Sequence, residues 1–410
     1  VLMEHAGGQG RAPWTWVRTQ GGGRVFYTAY GHDERTWTKP GFQTLVANAI
    51  VWAVDGAARS AWQAFEMPGV TYVDGFNVPN YEGRDPAPQY QMPFTPADAQ
   101  RFMQVPAEFE VKLFASEPDI VKPMTMAFDE RGRLWVVEAL DYPNEVLDGQ
   151  PGDDRIKILE DTNGDGRADK FTVFAEHLNI PTSIAFANGG VIVAGAPHFL
   201  FLKDTNGDDK YDTKEYLLHG FDSADTHHAI NSFTFDPGGA LYMQEGIFHR
   251  TQVETPWAPT MRQADGGVFR FEPRTFKVET YIPMNFPNPH GHVFDGWGRD
   301  IVFDATGGQP YYGPSFSTKK YYPAMETKDA PKPGPVRVRP VGGTELISSR
   351  HFPDEMQGNM VVLNTIGTVL MFLANSWIAF MMSPAGVDEE GRYLGNIWHV
   401  IHTALWNPLN

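Results

Sequence analysis

One short pattern occurs four times in this chain. An apolar strand ends in phenylalanine, a polar turn containing glycine follows, and a second apolar strand comes after it. The copies read MAFDERGRLWVVEA from Met126, IAFANGGVIVAGA from Ile184, FTFDPGGALYMQEG from Phe233 and HVFDGWGRDIVFDA from His292. Their shared phenylalanines stand at 128, 186, 235 and 294, spaced by 58, 49 and 59 residues. Each copy predicts a β-hairpin whose glycine supplies the positive φ of the turn. A unit of roughly 45–60 residues with four short strands matches a β-propeller blade. The competing reading is a β-sandwich with unrelated hairpins, and repetition at several positions within each copy favours the propeller. The expected fold class is therefore mainly β. It is a propeller of about four to six blades, cut short because residues 109–364 hold about four to five.

Composition narrows the function classes. The 410 residues carry 33 Lys+Arg against 50 Asp+Glu, a net charge of −17. That balance excludes gripping nucleic acid through overall charge. The absence of cysteine excludes disulfides, iron–sulfur clusters, thiolate zinc sites, covalently attached haem c and a cysteine nucleophile. The 41 Gly, 32 Pro and 28 Phe suit an all-β architecture with many turns.

The flanks read differently. Residues 24–30 alternate as a strand. Phe42, Leu45, Val46, Ala49, Ile50 and Ala53 recur with helical spacing. A small α/β remnant is expected over 1–60, a linker or strap over 61–100, the propeller over 101–364 and an apolar helical tail over 365–410. The uncharged run at 366–382 is either a membrane anchor at the short limit or a buried helix. The opening VLMEH lacks the pattern of a secretion signal, so the natural start is expected upstream.

Three features carry candidate chemistry. DTNGDGRAD at 161–169 and DTNGDDKYD at 204–212 place oxygens as a calcium loop does. The candidate ligands are Asp161, Asn163, Asp165 and Asp169 in the first loop. In the second they are Asp204, Asn206, Asp208 and Asp212, with Glu215 at position 12. Each loop departs once, with Thr172 at position 12 of the first and Asp209 in place of glycine in the second. The alternative is a pair of polar turns that bind nothing. Third, His227 and His228 precede the third hairpin, His290 and His292 lie at the fourth, and His198 follows the second. These five histidines are expected to converge on the propeller axis, as a general base or as metal ligands. His32 ends the first predicted strand, before a helix.

Several segments also resemble known families. GRVFYTAYGHDERTW and the helix after it resemble the C-terminal part of ThuA-like (trehalose utilisation) domains, which have a flavodoxin-type α/β fold. FASEPDIVKPMTMAFDERGRLWVVE, DTNGDGRAD and HHAINSFTFDPGGALY resemble the propeller of membrane-bound dehydrogenase-like proteins. Those are related to glucose/sorbosone dehydrogenases that use pyrroloquinoline quinone (PQQ). Residues 370–410 are similar to a stretch of cytochrome bd oxidase subunit I, which implies a chimeric join.

The dehydrogenase resemblance implies a calcium-stabilised, periplasmic or extracellular oxidoreductase acting on a carbohydrate hydroxyl or hemiacetal. A cytochrome is its implied electron acceptor. His228 would be the general base, and His227, Asn231, Gln244, Asn288 and His290 would line the cofactor pocket. The family's arginine before Asn288 is here Pro287, which weakens the expectation of PQQ. The alternatives are a calcium-stabilised propeller that binds a glycan or protein, and carbohydrate chemistry in the ThuA-like part.

Overall fold

The computed structural model describes residues 1–364 except 8–9, 33, 55, 65–68, 74–79, 81–82, 84–86, 88, 104–108, 143–150, 285 and 314–340, together with 377–382 and 400–403. The chain forms two compact units, Val1–Gly69 and Val70–Asn410.

In the first unit β1 (Met3–Gly7), β2 (Gly10–Gln20) and β3 (Gly23–Thr28) form one antiparallel sheet. Helices α1 (Glu34–Trp37), α2 (Pro40–Ala53) and α3 (Gly56–Ala64) follow. Pro40 opens α2, where a missing N–H costs nothing. The strand and helix read from the sequence both form. The pairing differs from a flavodoxin-type layer, whose parallel strands are joined by crossover helices. A tight turn with Gly21 at φ 56° joins β2 to β3, and so short a link can connect only antiparallel neighbours.

The second unit begins with β4 (Tyr72–Val73) paired to β5 (Tyr90–Gln91), then α4 (Pro96–Phe102). The Thr95 hydroxyl caps α4 by accepting the Asp98 N–H at 3.2 Å. Five meander sheets follow. Sheet 1 holds β6 (Pro123–Phe128), β7 (Leu134–Glu138), β8 (Asp154–Glu160) and β9 (Lys170–Leu178). Sheet 2 holds β10 (Ser183–Ala187), β11 (Gly190–Gly195), β12 (His198–Lys203) and β13 (Thr213–His219). Sheet 3 starts with β14 (Asn231–Phe235) and β15 (Leu241–Glu245). It then inserts a hairpin of β16 (Arg250–Thr255) and β17 (Ala258–Ala264), and ends with β18 (Gly267–Glu272) and β19 (Lys277–Ile282). Sheet 4 holds β20 (Pro289–Phe294), β21 (Asp300–Asp304) and β22 (Gln309–Tyr312). Sheet 5 holds β23 (Val341–Leu346), β24 (Met360–Asn364), β25 (Trp377–Met382) and β26 (Val400–Thr403). The first strands β6, β10, β14, β20 and β23 lie side by side in that order. This is the strand plan of a propeller.

The last two strands correct the sequence reading of the tail. Within the run expected to be helical, Trp377–Met382 is a strand paired to β24, and Val400–Thr403 pairs with it in turn. A β-prone aromatic run beside the free edge of β24 extends the meander. The rest of the tail, including most of 366–382, lies outside the described residues. Among the described residues no helix is long and apolar enough to cross a membrane.

The repeated hairpins form as read. In three of them an aspartate closes the turn: Asp129 Oδ1 accepts the Arg133 N–H, Asp236 Oδ1 that of Ala240 and Asp295 Oδ1 that of Arg299, each at 2.9 Å. The glycines Gly132, Gly239 and Gly298 take φ of 77°, 88° and 79°. The apolar cores lie between successive sheets. Trp135, Val137, Ile156 and Ile158 of sheet 1 meet Ile184, Val191, Val193 and Leu202 of sheet 2. Phe199 and Leu218 meet Leu241, Met243 and Phe269 of sheet 3. Tyr242 and Val268 meet Val302 of sheet 4, and Ile301 and Phe303 meet Met360 and Val362 of sheet 5. The second strands are therefore buried on both faces. That is why LWVV, LYM and IVF read as continuous apolar runs without alternation.

Glu138 ends such a strand and is 0% exposed. It pairs with Arg155, accepts from Lys157 Nζ at 3.0 Å and takes the Val121 N–H at 2.8 Å. Replacing Glu138 with Ala strands a buried cation and a main-chain donor. A loss of about 3–5 kcal/mol is expected in urea unfolding of the full chain.

Candidate functional site

The first strands enclose a cavity of about 690 Å³. All five sheets contribute: Met124 and Met126 from the first, Ser183 and Ile184 from the second, Asn231, Ser232 and Phe233 from the third, His290 from the fourth, and Thr344 and Glu345 from the fifth. Tyr142, Thr226 and His227 complete one end. Among the described lining residues Glu345 is the one carboxylate, and no lysine or arginine occurs.

The third and fourth sheets supply the polar wall. Ser232 sits in a bulge of β14 at φ 54°, an uncommon conformation for a residue with a side chain. Its hydroxyl lies 2.7 Å from Asn231 Oδ1, accepts the Gly291 N–H at 3.1 Å and stands 3.2 Å from His290 Nδ1. Gly291 has no alternative residue here. Its φ is 106°, and a Cβ would come within 2.6 Å of the Thr344 hydroxyl.

Behind His227 lies a fixed chain of groups. Asp225 Oδ1 accepts the His227 N–H at 2.9 Å, and Asp225 Oδ2 meets His228 Nδ1 at 2.9 Å. His228 Nε2 stands 2.8 Å from Asn288 Oδ1 as assigned. A neutral imidazole donates once, so a neutral His228 donates to Asp225 and needs the Asn288 amide turned to donate in return. Burial raises the Asp225 carboxyl, but the His227 N–H and the charge of His228 outweigh it and hold the group below its ordinary range. Burial, followed by the charge of Asp225, raises the Tyr142 phenol. Gly246 supports the His228 ring so closely that a Cβ there would lie 2.9 Å from its Cδ2.

The predicted residues thus divide. His227, Asn231 and His290 line the cavity, while His228 and Asn288 form the linked pair beside it. Gln244 is fully buried and does not face the cavity. Its Nε2 donates to the Gly291 carbonyl at 3.0 Å and ties sheet 3 to sheet 4. The expected convergence of five histidines is corrected. His292 is buried against Asp300 Oδ2 at 2.8 Å, turned into the core between sheets. His198 is on the third strand of sheet 2, beside His219. Strict alternation would place 290 and 292 on one face of β20, and the bulge between Pro289 and His292 breaks it and sends them into different surroundings. His32 lies in the first unit and is exposed.

The two Asp-rich loops join the third and fourth strands of sheets 1 and 2, and their bonding is nearly identical. Asp161 takes the N–H groups of Gly164 at 2.7 Å and Gly166 at 2.8 Å, and Asp204 those of Gly207 at 2.6 Å and Asp209 at 2.8 Å. Asn163 and Asn206 accept from Asp165 and Asp208, and those two accept from Arg167 and Lys210. Asp169 and Asp212 hold Thr162 and Thr205 across the loop base. Glu215 stands outside the second loop, exposed on β13 opposite Phe201. Asp209 takes the turn at φ 63°, and its carboxylate meets Arg133 Nη1 at 2.7 Å, which offsets the missing glycine. Among the described residues no group of three or more His, Asp or Glu side chains converges as a metal cage.

A family profile described as a domain of unknown function, DUF7133, matches residues 95–367. The chain belongs to that family. The trehalose-utilisation family ThuA matches residues 2–53, in accord with the resemblance read there. Residues 368–410 lie outside both matches, so the likeness to cytochrome bd oxidase gains no support. No curated protein matches the chain. Solved structures with low likeness include a PQQ-bound aldose sugar dehydrogenase from Streptomyces coelicolor. It is 12% identical over 70% of this chain and 81% of that one, with a TM-score of 0.43. A glucose dehydrogenase is 12% identical over 65% and 84%, with a TM-score of 0.40. The calcium-binding regucalcin of Agrobacterium tumefaciens is 13% identical over 69% and 77%, with a TM-score of 0.38. At these scores the likenesses carry no argument about activity.

Sequence reasoning missed Asp225, Tyr142, Ser232, Thr344 and Glu345. Asp225 had a local signal, since it lies three residues before His228 and on one turn of 3-10 helix with it. Tyr142, Ser232, Thr344 and Glu345 come from a loop, sheet 3 and sheet 5, and had none. The loops carry a pH signature. N–H donation, first from Gly166, holds the Asp161 carboxyl below its ordinary range. Burial opposes the same effect at Asp204, but the N–H bonds from Gly207 and Asp209 outweigh it. A depressed carboxyl contributes stability above its unfolded pKa, about 3.9, and loses it as pH falls through the folded value. Asp161→Asn and Asp204→Asn are therefore expected to lower the melting temperature at pH 7 and flatten its fall below about pH 4.

Proposed function

We propose that the axial cavity binds a neutral, polyhydroxylated ligand of the carbohydrate class. The composition of the wall carries this reading. Hydroxyl, amide and imidazole groups from Thr226, His227, Asn231, Ser232, His290 and Thr344 face one space with Phe233 and Tyr142, and among the described lining residues no lysine or arginine accompanies them. Such groups suit sugar hydroxyls, and aromatic faces suit the apolar face of a sugar ring. PQQ is a polycarboxylate and needs cationic partners once removed from water. The described lining offers none, and Pro287 stands where the dehydrogenase relatives carry arginine. The described lining therefore favours a neutral ligand over that cofactor.

Titration of the full chain with a panel of neutral saccharides is expected to show saturable binding with little salt dependence, because no ionic contact is involved. His290→Ala is expected to weaken it about tenfold, the effect of losing ~1.4 kcal/mol of hydrogen bonding. A folded chain that binds no saccharide overturns the reading.

A second reading, oxidation of a sugar hydroxyl, is favoured by the Asp225–His228 pair. Asp225 fixes Nδ1 as the donor, so Nε2 is the atom that would take the hydroxyl proton once Asn288 yields its place. A periplasmic or extracellular location and a cytochrome acceptor belong to this reading. Dye-linked turnover with Ca²⁺ and PQQ that disappears in His228→Gln would favour it over binding alone. Calcium belongs to both readings as a structural ion of the Asp-rich loops. Asp161 Oδ2 and Asp204 Oδ2 each accept a single loop N–H, from Gly166 and Asp209, and keep a lone pair. A melting rise with Ca²⁺ but not Mg²⁺, reduced in Asp161→Asn and in Asp204→Asn and absent in the double variant, is the expected result.

A further inference from the structure

His198 opens β12 and His219 closes β13, directly opposite each other in the register. Opposed residues on adjacent strands share one face of the sheet. Their rings stack with centroids 4.7 Å apart, and the two Nδ1 atoms are 2.8 Å apart. We propose that His198 and His219 form a two-imidazole site for a divalent transition-metal ion. A metal about 2.0–2.1 Å from each nitrogen holds them ~2.9 Å apart at a right angle and ~3.4 Å apart at a tetrahedral angle. The nitrogen separation is therefore already that of a chelating pair, and rotation of the rings turns the two lone pairs toward a common ion.

The strands hold the pair in place. Phe199, next to His198, is 0% exposed, and Leu218, next to His219, is 3% exposed. The Gly220 N–H donates to the Pro197 carbonyl at 3.0 Å and closes the strand ends beside the two rings. The His219 side is open to solvent, so an ion can reach it. The ligand must be a neutral imidazole. One proton lies between the two Nδ1 atoms. On binding it moves to an Nε2 through solvent, and the freed lone pairs take the metal.

Around the pair stand Tyr216, whose ring is 4.8 Å from that of His198, and Lys214, whose ammonium is 5.4 Å from the Tyr216 ring. The lysine's charge opposes a cation and limits affinity. Water fills the remaining coordination positions. Two nitrogens and no carboxylate select Cu²⁺ over Ni²⁺ and Zn²⁺, and discriminate against Ca²⁺ and Mg²⁺. The site is thus chemically distinct from the Asp-rich loops.

The test is titration of the full chain with Cu²⁺ and with Zn²⁺ in a non-chelating buffer near pH 7.5. The bound Cu²⁺ is also read by electron paramagnetic resonance. The expected result is a site of one equivalent whose spectrum shows two imidazole nitrogens. His198→Gln and His219→Gln, which keep a polar group at the strand ends, should each weaken it by at least about tenfold. Lys214→Ala should tighten it. Because the chain has 13 histidines, binding unchanged in both glutamine variants assigns the ion elsewhere and overturns the proposal. Absence of binding by the folded parent chain overturns it as well.

Discussion

The first strand of each sheet has a ladder partner on one side only. Its other edge faces the axis, where among the described residues no further strand pairs with it. An unpaired main-chain group removed from water costs about as much as a lost hydrogen bond. Much of the polar structure near the cavity answers that constraint. Glu138 takes the Val121 N–H and Asp304 takes the Asn288 N–H, each from the end of a second strand to the residues just before a first strand. Asp154 takes those of Asp141 and Ile180, Ser232 takes that of Gly291, and Gln244 and Thr182 donate to the carbonyls of Gly291 and Ile230. Burial, the largest influence on both Asp154 and Asp304, raises their carboxyls despite these donors.

The same constraint places the candidate site. A bulge in β14 and another in β20 free the Ser232 and Gly291 main chain from the ladder. Side chains from the adjoining sheet then satisfy it. Polar residues gather where inner strands meet, and the described lining of the cavity inherits hydroxyls and imidazoles without lysine or arginine. A second buried pair stands behind it. His249 Nδ1 meets Glu245 at 3.0 Å and Nε2 meets the Asp225 carbonyl at 3.0 Å, so the loop that carries His227 and His228 is tied down from below. Burial pushes the Glu245 carboxyl up. It pushes the His249 imidazole down, but the bond and charge of Glu245 outweigh that and raise it.

The two Asp-rich loops show how far a motif can be read. Their oxygen spacing was legible, and the structure gives both loops the same turn. Where the second loop departs, Asp209 substitutes for glycine and is paired with Arg133 of the neighbouring hairpin turn. No local pattern announces that partner, which lies 76 residues away. Glu215, at the right spacing for a twelfth ligand, is carried off by the strand that starts at Thr213.

The four hairpins, their glycine turns and the buried second strands were determined by the sequence alone. Turn chemistry acts over about four residues, and burial on both faces imposes a continuous apolar run, so each leaves a local trace. The placement of the histidines was decided by the tertiary structure. His227 and His290 reach the cavity, His228 locks onto Asp225 and Asn288, His292 enters the core and His198 turns to His219. Which side of an inner strand faces the axis depends on bulges and on the neighbouring sheet, and neither is encoded within a few residues. The tail shows the same limit. Its apolar run satisfies a helix or a strand equally by composition, and the free edge of β24 selects the strand at Trp377–Met382 because it offers the hydrogen-bond partners a strand needs.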